Sequence, residues 1–314
     1  MPVLGFSWCC LLGFGLMRLP LRSDSQKDID MEQFKNMVDL FLERGSDYFD
    51  TSYVYHDGES ENAVRKALVE RHDRGSYRLA SKFPAFMGFH TDEEIKKVFQ
   101  EQLDRCGVEY FDYYLIHSLN RELYDSVKDT PLLTLRSGGG QKEKSDISGL
   151  SWHDDAEELD RVLNEHPEME FVQIVVNYYD WDEPLVRSRE CSEVIRKHGC
   201  EVIAMESVKG GMLAAVPKEA KLQMQLAHPD WSPAIWALQY AANLDGMITV
   251  LSGMSTLAQV EDNTRGMRDD NAFYRSGKQR NQSDKRHLCV TEKSNAQTGG
   301  RWMKAHRTEC RFQR

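Results

Sequence analysis

Eight short runs rich in aliphatic, β-branched and aromatic residues recur along the chain, at 11–16, 47–51, 77–82, 111–117, 147–152, 171–177, 201–206 and 247–252. Their length suits strands rather than helices. Most are followed by a stretch whose apolar residues repeat at helical spacing. In 31–44, Phe34, Met37, Val38, Leu40 and Phe41 fall on one helix face. Thr91 with Glu94 three residues on is a capping-box pattern ahead of Ile95, Val98 and Phe99. Stretches 154–164, 183–198 and 232–243 read the same way. Eight strands alternating with helices predict an α/β protein, a (β/α)8 TIM barrel. A doubly wound sheet is the competing architecture, and no GxGxxG after the first strand supports it.

Composition narrows the function classes. No run approaches the roughly 18 apolar residues of a membrane span. The apolar start, 1–19, reads as the lead-in to a buried strand; a secretory signal would want a basic residue ahead of the apolar stretch, and the first one is Arg18. The seven cysteines (9, 10, 106, 191, 200, 289 and 310) are scattered, odd in number and without a CxxC pair. They predict no metal site and fit a reducing, cytoplasmic compartment. Charge is uneven. Residues 1–270 carry 29 Lys/Arg against 47 Asp/Glu, a balance of −18, whereas 271–314 carry 11 against 3, or +8. An acidic body argues against nucleic acid as a partner. The expected organisation is a barrel over 1–264 followed by a basic tail, 265–314, without a core of its own.

Three successive strands end in chemistry-bearing residues. The second ends at Asp50, with a tyrosine, Tyr55, five residues on; the third ends in Ser-Lys82; the fourth ends in Leu-Ile-His117. In a parallel barrel these ends share the face on which active sites are built. Singly, a strand-end Asp is usually a turn residue, a lone Lys a solvated charge and a lone His a core residue. Their order and position together are far more specific.

The sequence resembles the aldo-keto reductase family over about four fifths of the chain. The resemblance rests on Leu12-Gly-Phe-Gly-Leu-Met-Arg-Leu-Pro20, Phe49-Asp-Thr-Ser-Tyr-Val-Tyr55, Ala80-Ser-Lys82, Tyr114-Leu-Ile-His117, Gly149-Leu-Ser-Trp-His153, Met205-Glu-Ser-Val-Lys-Gly-Gly211 and Leu251-Ser-Gly-Met-Ser255. It is most similar to the bacterial branch that often carries an iron–sulfur segment, whose Cys cluster is absent from this sequence. The resemblance implies a carbonyl reductase using NADP(H), with NAD(H) the alternative, and a small-molecule aldehyde or ketone as substrate. It implies a tetrad of Asp50, Tyr55, Lys82 and His117. Tyr55 would be the general acid, its pKa lowered by Lys82 from the ordinary value near 10; Tyr53 is the competing phenol. It further implies that Ser151 and Gln173 hold the carboxamide and that Met205 lies under the nicotinamide ring. Lys209, Gly210 and Gly211 would form the pyrophosphate loop, and Gly253, Met254, Ser255, Gln259 and Asn263 the adenosine end.

One stretch departs from the pattern. Residues 130–145 contain Gly138-Gly-Gly140 where a barrel needs its fourth helix, and such a run breaks helices. The spacing between strands is preserved while the helix pattern is lost, which points to two compensating frameshifts. Lys144–Ser148 read one base earlier, with allowed codons, yields Ile-Arg-His-Phe, a strand start ahead of Gly149. The same origin would account for the patternless tail after Asn271. Two readings therefore stand beside the active reductase: a cofactor-binding regulator with little turnover, and a damaged, poorly folding homologue.

Overall fold

The computed structural model describes residues 11–134 and 149–267. The segment Gly138–Gly140 and residues 268–314 of the expected tail lie outside them. Eight parallel strands close into a barrel in sequence order: β1 (Leu12–Gly15), β2 (Tyr48–Asp50), β3 (Arg78–Phe83), β4 (Tyr113–Leu119), β5 (Gly149–Trp152), β6 (Phe171–Val175), β7 (Glu201–Met205) and β8 (Met247–Gly253). Every strand overlaps one of the eight expected runs, with β3, β4 and β8 extending one or two residues past them. Closure is made by β1 on β8, with Gly13 opposite Leu251 and Gly15 opposite Gly253.

The barrel interior holds a packed cluster of side chains from six of the eight strands: Tyr48, Ala80, Leu115, Phe171, Ile203 and Leu251. Tyr113 bridges the rings of Tyr48 and Phe171 at centroid distances of 5.1 and 5.3 Å. Large rings on some strands require small residues on others. A Cβ at Gly149 would lie 2.5 Å from the Phe171 ring, and one at Gly13 2.6 Å from Leu251.

The helices form the outer layer. α1 (Met31–Glu43) buries Phe34, Met37, Val38 and Phe41, four of the five residues its spacing singled out. Phe14 of β1 packs against the rings of Phe34, Phe41 and Phe49, so sheet and helix share one aromatic cluster. Each such buried side chain contributes about 1.5–3 kcal/mol. α2 (Ser60–Val64) runs on into a wider turn, Arg65–Val69. α3 (Asp92–Cys106) starts with the expected Thr91/Glu94 capping box and stops at Gly107, which has a φ of 72°.

The fourth helix is present but short. α4 (Arg121–Val127) is capped by the Asn120 side chain, and a turn over Pro131–Thr134 buries Leu132 and Leu133. α5 (Ala156–Glu165) follows β5. α6 (Ser188–Lys197) begins five residues later than the spacing suggested. Pro184 disfavours helix in the residue before it, and Arg187 turns left-handed at a φ of 53°. α7 (Lys218–Ala227), α8 (Pro233–Ala242) and α9 (Leu257–Gly266) complete the shell. No helix among the described residues is long and apolar enough to cross a membrane.

Candidate active site

The tetrad converges. Asp50 closes β2 and Lys82 is the last but one residue of β3; both are fully buried. Lys82 Nζ forms an ion pair with Asp50 and donates to the Thr51 carbonyl at 2.7 Å. Gln173 Nε2 donates to the other Asp50 oxygen at 3.2 Å. Burial works to strip the Lys82 proton, and the Asp50 carboxylate outweighs it, holding the amine above the ordinary lysine value. The ammonium lies 4.7 Å from the centre of the Tyr55 ring.

Tyr55 stands edge-on to His117, with ring centres 5.7 Å apart. Its pKa corrects the sequence expectation. Burial raises it above the ordinary tyrosine value, and Lys82 pulls the other way without reversing the shift. The phenol is therefore protonated at neutral pH, the state a proton donor needs. Tyr53 is excluded from this cluster: its hydroxyl meets Glu101 at 3.3 Å and its ring carries the Arg105 guanidinium at 4.2 Å.

His117 owes its direction to a bulge. The β4–β5 ladder breaks register between Ile116 and Leu119, and Ser118 sits left-handed at a φ of 56°. Ser118 N–H donates to Ser151 Oγ at 2.7 Å, which pins the distortion. His117 Nδ1 hydrogen-bonds Ser52 Oγ at 3.0 Å, and Phe86 packs on its ring at 5.6 Å. Burial, with help from the Lys82 charge, lowers its pKa to about 3, so the imidazole is neutral through the physiological range. Phe86 also lines an open surface depression of about 580 Å³, together with Ser118, Asn120, Glu122, Leu123 and Ser126.

The expected cofactor residues are distributed around the same rim, with several already engaged. Ser151 and Gln173 are buried, one supporting the bulge and the other Asp50. Met205 ends β7 half-buried. Gly210 and Gly211 follow at φ values of 62° and 95°, conformations that favour glycine. The Lys209 ammonium ahead of them is bound by both oxygens of buried Asp180, at 2.6 and 2.7 Å. Ser207 buries a hydroxyl with no hydrogen-bond partner. After β8, Met254 is fully buried, and Ser255 N–H donates to Gln259 Oε1 at 2.7 Å. Asn263 Nδ2 donates to Ser252 Oγ at 2.9 Å.

Ser52, Phe86 and Asp180 were not singled out from sequence. Ser52 lay inside the quoted Asp-Thr-Ser run. Phe86 and Asp180 carry no local signal, because only chain closure brings them to the site.

A parallel barrel thus brings a buried Lys–Asp pair, a phenol and a neutral imidazole to one mouth. The chain belongs to the aldo/keto reductase family, whose sequence model matches residues 11–270. It is 22% identical over 258 residues to the oxidoreductase YqkF of Bacillus subtilis, covering 73% of this chain and 80% of that protein. Its fold is similar to an aldo-keto reductase from Klebsiella pneumoniae in complex with NADPH, with a TM-score of 0.62, 17% identity and 90% of each chain covered. It is also similar to aldo-keto reductase AKR11C1 from Bacillus halodurans in its holo form, with a TM-score of 0.60, 22% identity and coverage of 82% and 86%.

Proposed function

We propose that the protein reduces a small-molecule aldehyde or ketone to the alcohol with NADP(H), using Tyr55 as the general acid. The observation that carries this reading is the protonated phenol set between the Lys82 ammonium and the neutral His117 ring. A dinucleotide fits the residues present: a Cβ on Gly211 would meet nothing within 4 Å, so a ligand has open access to that backbone. Met205 supplies a half-buried face at the end of β7. Similar folds in complex with NADPH and with NADP favour the phosphorylated dinucleotide over NAD(H).

When bound, the cofactor supplies the hydride. Tyr55 gives its proton to the carbonyl oxygen as negative charge develops there. Lys82, fixed by Asp50 and the Thr51 carbonyl, stabilises the phenolate left behind. His117, with Nδ1 held by Ser52, keeps Nε2 for the substrate oxygen and orients the carbonyl. The depression beside Phe86 takes the rest of the substrate.

The test follows oxidation of NADPH and NADH across a panel of aldehydes and ketones, for wild type and Tyr55→Phe. The expected result is carbonyl-dependent oxidation, about 10²–10⁴-fold slower in the variant, with NADPH binding kept. Cofactor binding without any turnover in wild type refutes the reductase and leaves the regulator reading.

A further inference from the structure

We propose that Arg18, in the turn after β1, is the cation that grips a phosphate group of the bound dinucleotide beside the loop of Lys209, Gly210 and Gly211. The inference rests on the proposed cofactor use.

The backbone of Arg18 is held from two directions. Ser255 Oγ donates to its carbonyl at 2.8 Å. Leu19 N–H donates to His56 Nε2 at 3.0 Å, and His56 Nδ1 is hydrogen-bonded to the Gln26 carbonyl at 3.0 Å. From that anchor the side chain crosses the rim. Its stem passes 3.3–3.5 Å from where a Cβ on Gly253 would stand, and a guanidinium nitrogen lies 3.2 Å from the equivalent point on Gly210. Glycine at both places leaves the passage clear. The guanidinium thus comes to rest beside the glycine turn after β7, joining the first, seventh and eighth strand loops.

Charge decides between the cations. Lys82 is paired with Asp50, Lys209 with Asp180 and Arg265 with Asp262. Arg18 is exposed and, among the described residues, its side chain makes no ion pair or hydrogen bond. The body around it carries a balance of −18, from 29 Lys/Arg and 47 Asp/Glu in residues 1–270. A polyanionic ligand entering an acidic protein needs an uncommitted cation, and a guanidinium offers a planar pair of donors that matches phosphate oxygens.

The experiment titrates wild type, Arg18→Gln and Arg18→Lys with NADPH and NADH, following quenching of protein fluorescence at low and high salt. Arg18→Gln should weaken NADPH binding about tenfold or more and flatten its salt dependence, with Arg18→Lys between. An equal loss for both dinucleotides assigns the pyrophosphate, and a loss confined to NADPH assigns the 2′-phosphate. The exposed position leaves the melting temperature unchanged. If wild type binds and Arg18→Gln binds equally well, the inference fails alone. If wild type binds neither dinucleotide, the proposed function falls and takes it along.

Discussion

Glu61 offers a quantitative test of the packing around the site. It lies fully buried in α2, where Ser81 Oγ and Gln102 Nε2 each donate to Oε1 at 2.7 Å. Oε2 has no hydrogen-bond partner, and the nearest charge is the Arg105 guanidinium at 3.7 Å. Burial lifts its pKa from 4.5 to about 7 against the pull of Gln102, Ser81 and Arg105. The folded carboxyl therefore holds its proton more tightly than the unfolded one. Between pH 4.5 and 7 the unfolded chain has lost that proton while the folded chain keeps it, so stability falls as pH rises through this window. The full effect is about 3 kcal/mol at 1.36 kcal/mol per unit. Glu61→Gln removes it. Gln keeps an acceptor for Ser81 and Gln102 and gives up the mostly buried approach to Arg105, whose pull is already contained in that pKa. At pH 8 the variant should be more stable by about 3 kcal/mol, a rise in Tm of ~4–8 °C for a domain of this size. The difference should vanish below pH 4.5. Thermal melts of both proteins across pH 4.5–8 check it. Parallel curves, or a variant less stable at pH 8, would refute the argument that a neutral carboxyl is what this site holds.

Lys82→Met should abolish turnover and cost about 3–5 kcal/mol by leaving Asp50 buried without its cation; denaturant unfolding should show Asp50→Asn in the same chain restoring stability but not activity. The kcat profile should carry no inflection from His117 between pH 5 and 8, because its pKa lies at about 3; a step near 6.5 that disappears in His117→Gln would contradict this. Gly149→Ala should destabilise the barrel by about 1–3 kcal/mol, since the new methyl would stand 2.5 Å from the Phe171 ring. An unchanged midpoint in urea would show that β6 yields at no cost.

Legibility differed from element to element for identifiable reasons. The strand runs declared themselves because parallel strands covered on both faces become continuous apolar segments. Helices α1 and α3 were readable from one apolar face and a capping box. Helix α6 was placed too early, since spacing alone ignored the turn that Pro184 and Arg187 impose. Helix α4 carries little pattern of its own: it is two turns long, Asn120 caps it, and the helix-breaking glycines follow at 138–140.

Asp50, Lys82 and His117 were legible from their order near three successive strand ends, with Tyr55 read from its spacing to Asp50, because local sequence and barrel geometry coincide there. Their electrostatics were not. Proximity of Lys82 argued for a lowered Tyr55 pKa, yet burial supplied by the surrounding loops is the larger effect, and burial is a property of the closed barrel.

Short-range periodicity alone sets the repeating strand–helix order and so brings Asp50, Lys82 and His117 near successive strand ends. Tertiary structure decided which charges are already spent. Asp180 takes Lys209, and Arg18 reaches Gly210 and Gly253 from another loop entirely. Pairing depends on distances between segments that lie far apart along the chain, and those distances exist only once the barrel has closed.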